Sequence, residues 1–356
     1  MIEEIFYDSI DLLQQLISTP SVSRDEVAVA SVFEDYARRN MPGEVRRLGN
    51  NVLVFSPQFD ESKKTILLNS HLDTVKPVSG WSKDPFVPCI EEETERLYGL
   101  GSNDAGASLV SLAGAYRYLI SKPQNYNLIF VASAEEEVSG KGGIEMVIPS
   151  LPAIDFVIVG EPTGMCPAIA EKGLLVLDGV VEGISGHAAR NEGVNAIYKA
   201  LPVVTLLSQM RLPKVSKTLG DVKISVTQIN AGTQHNVVPD KCNFVVDVRT
   251  TDAYSNEETL ELLRRAVEPL GAILTPRSTR LKPSGISENH PVVNRLKMLG
   301  KEPFGSSTLS DQALMPWQSL KLGPGDSARS HTADEFIYMR EIREAIYVYI
   351  RVLDNL

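Results

Sequence analysis

Three short apolar runs in the first half of the chain stop abruptly at acids or histidine, and no other feature of the sequence narrows the fold as much. Residues 65–68 lead into Ser70-His71-Leu72-Asp73, residues 127–132 into Glu135-Glu136-Glu137, and residues 156–159 into Gly160-Glu161-Pro162. These runs, with a fourth at 51–55, are rich in branched side chains and lack polar alternation, the pattern of strands covered on both faces. The cover is legible too. Phe6, Ile10, Leu13 and Ile17 recur at helical spacing, Ser23 and Glu26 stand as a capping box before a second helix reaching Asn40, and residues 105–120 read as a third helix. Helices alternating with buried strands predict an α/β fold, an open mixed sheet with helices on both faces.

From residue 174 the pattern changes to strand 174–182, helix 193–207, strands 222–229 and 242–250, helix 256–267 and strand 272–275. That order is the ferredoxin-like β-α-β-β-α-β unit. A helix over 291–299 and a long one from Asp334 onward then return to the first pattern. A chain of 356 residues exceeds what one hydrophobic core usually fills. Two domains are therefore predicted, one from 1–173 with 278–356 and an inserted one from 174–277.

A net charge of −10, with no basic cluster longer than a pair such as Arg46-Arg47, argues against a nucleic-acid partner, which requires phosphate neutralisation. The acidic, amphipathic start MIEEIFYDSIDLLQQ lacks the basic and apolar segments of a signal peptide, and no apolar run approaches bilayer length. A cytoplasmic protein without a membrane partner is expected. Cys89, Cys166 and Cys242 are far apart and odd in number, which suggests buried thiols rather than disulfides or a thiolate metal site.

In an open α/β sheet the carboxyl ends of the strands line the ligand crevice, so His71, Asp73, the Glu135-Glu136-Glu137 run and Glu161 can converge. Asp104, ahead of the third helix, falls on the same side. Each has an ordinary alternative: an N-cap for Asp104, a solvated loop for the glutamates, a structural histidine for His71 or His331. Asp73 lies two residues from His71, so in extended backbone its side chain faces the same way and can orient the imidazole. Taken together, a mixed set of imidazole and carboxylates at strand ends suits one or two zinc ions.

The motifs His71-Leu72-Asp73, Gly99 to Gly106, Glu136-Glu137 with Gly142, Gly160-Glu161-Pro162-Thr163, Gly186-His187-Ala188-Ala189 and Ser330-His331-Thr332 stand in the order of the M20 metallopeptidases. The chain resembles that family over nearly its whole length, and most closely its acetylornithine deacetylase and succinyl-diaminopimelate desuccinylase branch. The resemblance implies a zinc-exopeptidase-like catalytic domain with an inserted dimerisation domain, and two zinc ions per subunit, for which Co2+ can substitute. By position, Asp104 would bridge the ions, His71 and Glu161 would complete one site, Glu137 and His331 the other, and Asp73 would orient His71. Gly142 matches a family glycine five residues after the ligand, which makes Glu137 the ligand and Glu136 the base that takes a proton from a water activated between the metals. Glu135 stands where the family usually has Asp.

The same resemblance places His187 in a homodimer, acting in trans on the partner's site, although Asn191 replaces a common proline. Asn236 and Arg249 are similar to residues that bind the substrate's carboxylate; an ordinary strand-end ion pair is the other reading of Arg249. The expected substrate is a small N-acyl amino acid, foremost N-acetylornithine or an acylated citrulline in arginine biosynthesis. A diaminopimelate desuccinylase and a dipeptidase or carboxypeptidase are alternatives within the enzyme class, as is a one-zinc aminoacylase-like enzyme. A silent amino-acid-binding homologue is the non-enzyme alternative, and the presence of every ligand and of the base weighs against it.

Overall fold

The computed structural model describes residues 1–356, which form two compact units. Met1–Ile169, Gly285–Phe304 and Ser310–Leu356 make up the larger, and Ala170–Ser284 with Gly305–Leu309 the smaller.

In the larger unit six strands of a nine-stranded sheet run Glu44–Leu48, Asn51–Phe55, Tyr126–Ser133, Lys64–His71, Phe156–Val159 and Ser319–Lys321 in spatial order. The last four are mutually parallel, and the first two pair antiparallel at the edge. Side chains alternate between two cores. Ile66, Leu68, Leu128, Phe130, Phe156 and Ile158 point to one face, and Leu67, Ile129, Val131, Val157 and Val159 to the other. This is why the sequence shows unbroken apolar runs: both faces are dry. The first face packs under the helices Ile2–Ile17, Val27–Asn40, Ala107–Ile120, Pro291–Met298 and Met339–Leu353. The second has a thin cover, chiefly Ile144–Val147 and the single turn Asp311–Leu314. Helices thus lie on both faces, but unequally.

The smaller unit is a four-stranded antiparallel sheet in the order Lys223–Ala231, Lys241–Thr250, Gly173–Glu182, Ala272–Pro276. Leu175, Leu177, Phe244, Val246 and Val248 pack against Ala200, Val203 and Leu207 of the helix Ala196–Gln209 and Leu260 and Leu263 of Asn256–Val267. Both the chain order and the strand order are those of the ferredoxin-like unit. Ser255 and Glu258 cap the second helix reciprocally.

Four local expectations are corrected. Ser23 and Glu26 form no capping box: the helix begins at Val27 without a side-chain cap, Ser23 donates to Asp73, and buried Glu26 accepts from Asn50 and from the amide of Glu135. Long-range partners outcompete the local motif. The third helix starts at Ala107, because Ser102–Gly106 makes a tight irregular turn. The terminal helix starts at Met339, after a short strand Phe336–Tyr338. Of the three free thiols only Cys242 is fully buried; Cys89 and Cys166 are partly exposed. No helix is long and apolar enough to cross a membrane.

Candidate metal centre

The three central parallel strands end at one edge, and their register sets His71 opposite Ser133 and Asn69 opposite Val159. At or within a few residues of each end stand the side chains picked out by sequence. His71 closes its strand, Glu136 and Glu137 sit on the single turn Glu136–Val138, and Glu161 follows Gly160. The turn is made by Glu135 in the left-handed region, φ +54°. Its carboxylate faces away from the cluster, accepts the amide of Gly142 and fills the space that a Cβ at Gly140 or Gly142 would occupy. Of the three consecutive glutamates, the first therefore shapes the loop and the next two face the site.

Asp104 reaches the centre of this group. Its Oδ1 lies 3.2 Å from Nε2 of His71, and its Oδ2 3.7 Å from Nε2 of His331. His71 Nε2 is also 3.8 Å from Glu161 and 4.0 Å from Glu136, while His331 Nε2 is 3.0 Å from Glu137. Ligands about 2.0–2.1 Å from a tetrahedral ion stand roughly 3.3 Å apart, so these separations are those of groups able to share a metal. Two triads have their ligand atoms within 4.8 Å of one another, His71-Glu136-Glu161 and His71-Asp104-Glu137, and they share His71; His331 stands beside the second through Asp104 and Glu137, and the buried Oε1 of Glu161 has no hydrogen-bond partner. The donors, imidazole and carboxylate without thiolate, suit zinc and its neighbours among divalent metals.

Asp73 orients His71 differently from expectation. The backbone carbonyl of Asp73, 2.9 Å away, accepts from Nδ1, while the carboxylate is 3.6 Å off. That carboxylate is committed elsewhere, accepting from Ser23 Oγ and from the amides of Glu136 and Glu137 at 3.0 and 3.2 Å. Asp73 so fixes both His71 and the turn carrying the two glutamates.

Charge crowding shows in the acid–base balance. Burial lifts Glu136 well above the usual carboxylate range, with Glu161 and Asp311 adding to the effect. Burial and the charge of Asp104 push Glu161 up to about 8. Asp104 stays low despite its burial because both histidines face it. Burial alone would lower His71, but Asp104, Glu136 and Glu161 hold it well above the ordinary imidazole range, and Glu137 raises His331 to about 9. Carboxylates that resist ionising together are stabilised by a divalent cation.

Comparison with known proteins agrees. The sequence profile of peptidase family M20/M25/M40 matches residues 67–355. The chain belongs to that family. As an M20 protein it is a metal-dependent amidohydrolase. It is 27% identical to an acetylornithine deacetylase of Proteus mirabilis over 97% of this chain and 96% of that protein. It is 28% identical to a succinyl-diaminopimelate desuccinylase of Corynebacterium glutamicum over 99% of this chain and 98% of that protein. A dinuclear metal-binding M20 peptidase of Bacillus subtilis shares the fold, with a TM-score of 0.75, 15% identity and 99% and 100% of the two chains covered.

The remaining candidates lie in the small unit of this M20 chain. His187 is exposed, and its Nδ1 accepts from the amide of Ala189. Asn236 is brought beside it, because Gly186 and His187 pair with Val238 and Val237 and the carbonyl of Asn236 accepts from Ala188. Arg249 forms a two-pronged ion pair with Asp247 on its own strand, at 2.9 and 3.2 Å. Sequence reasoning missed two buried acids of the larger unit. Asp311 accepts from Ser133 Oγ, and burial raises it to about 7; Glu335 accepts three backbone amides. Neither stands in a pattern that marks a buried residue.

Proposed function

We propose that the protein is a cytoplasmic two-zinc deacylase of small N-acyl amino acids, with N-acetylornithine or an acylated citrulline the foremost substrate. The observation that carries this reading is Asp104, whose two oxygens face two different histidines, Oδ1 towards His71 and Oδ2 towards His331. His71 and Glu161 would hold one ion, Glu137 and His331 the other, and Asp104 both. Bound zinc supplies Lewis acidity, lowering the pKa of a water and polarising the amide carbonyl. Glu136 is the remaining carboxylate of the group, 4.0 Å from His71 and partly buried, and desolvation holds it well above the usual carboxylate range, the direction that strengthens a carboxylate as a base. It would remove the water's proton and deliver it to the leaving amine nitrogen. Asp73 keeps Glu136 in place through the backbone rather than touching substrate.

The deacetylase and desuccinylase relatives, similar over nearly all of both chains, support an N-acyl amino acid as substrate. In this reading Asn236 and Arg249 contact the substrate carboxylate, Arg249 exchanging Asp247 for it, and the exposed His187 stabilises the oxyanion in the site of a partner copy. Exposed Tyr198, Leu201 and Ile229 of the small unit favour a homodimer. Mixing inactive Glu136→Ala and His187→Ala chains should then restore activity by assembling one intact site.

The deciding experiment is amide hydrolysis by zinc-loaded protein on N-acetyl and N-succinyl forms of ornithine, citrulline, lysine and diaminopimelate. One preferred acetylated substrate supports the proposal. Preference for succinyl-diaminopimelate replaces it with the desuccinylase, and no turnover with two ions bound overturns it.

A further inference from the structure

The segment that carries His331 also holds the backbone of Asp104, and it does so through one acid. Glu335 is only 2% exposed. Its Oε1 accepts the amides of Asn103 at 2.8 Å and Asp104 at 3.0 Å, its Oε2 the amide of Gly101 at 3.2 Å, and its carbonyl the amide of Gly99 at 3.0 Å. Four amides of residues 99–104 thus converge on one residue. The three bound by the carboxylate belong to a left-handed glycine, Gly101 at φ +76°, and to the irregular turn after it, where no helix or strand partner is on offer. A buried carboxylate with no cation against it is costly unless hydrogen-bonded, and here the loop supplies the bonds.

Two neighbours extend the tie. Asp334, itself at φ +53°, accepts from the amides of Ser82 and Lys83 and from Ser82 Oγ, fastening a second loop to the same segment. Asn103 closes the ring from the other side by donating to Ser330 Oγ and the carbonyl of Asp326. His331 and the oxygens of Asp104 therefore keep their separation because residues four apart in one segment anchor both.

We propose that Glu335 is the positioning residue of the bridging carboxylate: it fixes Asp104 relative to His331 and so sets the affinity and geometry of the metal pair. This rests on the reading of Asp104 and His331 as ligands. Glutamine cannot replace it. One of its two ends would be an NH2 group facing amide donors, so either the Gly101 or the Asn103–Asp104 side of the cradle would lose its acceptor.

The test uses the full-length protein loaded with Zn2+ or Co2+. Glu335→Gln should weaken zinc binding in chelator competition by about 10–100-fold, the range for groups supporting metal ligands, and alter the visible spectrum of the cobalt form. It should lower kcat by a similar factor with KM little changed. Glu335→Asp retains the charge but withdraws it by one methylene; it should fall between wild type and Gln, and it decides the matter if the Gln protein does not fold. Unchanged zinc affinity and cobalt spectrum in folded variants would overturn the positioning role while leaving the metal site intact. A wild-type protein that binds no divalent metal would overturn both readings.

Discussion

His71 and His331 approach the two oxygens of one carboxylate from opposite kinds of structure. His71 ends a central strand, its side chain 1% exposed and its ring held by a backbone carbonyl; His331 sits in a loop at φ +58°, its side chain 51% exposed. On the first side the sheet does the positioning, because a parallel register buried on both faces leaves the strand end no freedom. On the second, position is imposed by hydrogen bonds that Asp334 and Glu335 accept. One half of the centre follows from the core, and the other has to be tied on.

The sharpest test separates adjacent glutamates. Glu136→Gln should lower kcat by roughly 10²–10⁴ with metal content unchanged, the typical worth of a general base. Glu137→Gln should instead cost bound metal, so equal metal loss in both would break the division of labour. Next come the two histidines. His71→Ala leaves buried carboxylates facing one another and should destabilise the metal-stripped protein by about 3–5 kcal/mol in denaturant unfolding. His331→Ala, at a half-exposed pair, should cost no more than about 1 kcal/mol. Similar losses would show that the loop half is as deeply built in as the strand half.

Asp73→Asn should lower metal affinity or activity by about 10–100-fold, because the acceptor it removes serves the amides of Glu136 and Glu137 while the carbonyl that holds His71 stays. Calorimetric metal titration alongside kinetics would measure it. A further test concerns pH. Glu161 at about 8 and His331 at about 9 are both raised in the folded state. A raised group contributes stability that is present below its unfolded pKa and lost as pH climbs through the folded one. The melting temperature of metal-stripped protein should therefore fall between about pH 5 and pH 9, over the window those two groups define. Zinc at pH 8 should restore it, by about 2.7 kcal/mol at a hundredfold excess over Kd.

Much of this was legible in the sequence where local pattern and tertiary role coincide. The strand Phe156–Val159 and the helix Asn256–Val267 appear with their expected bounds, the first because both faces are dry and the second because Ser255 and Glu258 cap it reciprocally, a box the sequence reading did not single out. The same spacing misled at Ser23 and Glu26, where Asp73 and the amide of Glu135 claim the side chains. The candidate ligands at strand ends could be read because strand direction fixes where such residues project. Glu335 and Asp311 could not, since burial of a lone acid depends on loops that meet only in three dimensions. For Arg249 the structure contains the ion pair with Asp247, the plainer of its two readings.

The chain leaves the larger unit and re-enters it at neighbouring points, where the amide of Ile286 donates to the carbonyl of Ile169 at 2.9 Å. To the host sheet, the long excursion of Ala170–Ser284 has the end-to-end span of a hairpin turn. Closure entropy grows only slowly with loop length, and an insert with its own core adds little to it. The segment is thus a cassette. Changes of length within it need not disturb the strand order beneath the candidate ligands.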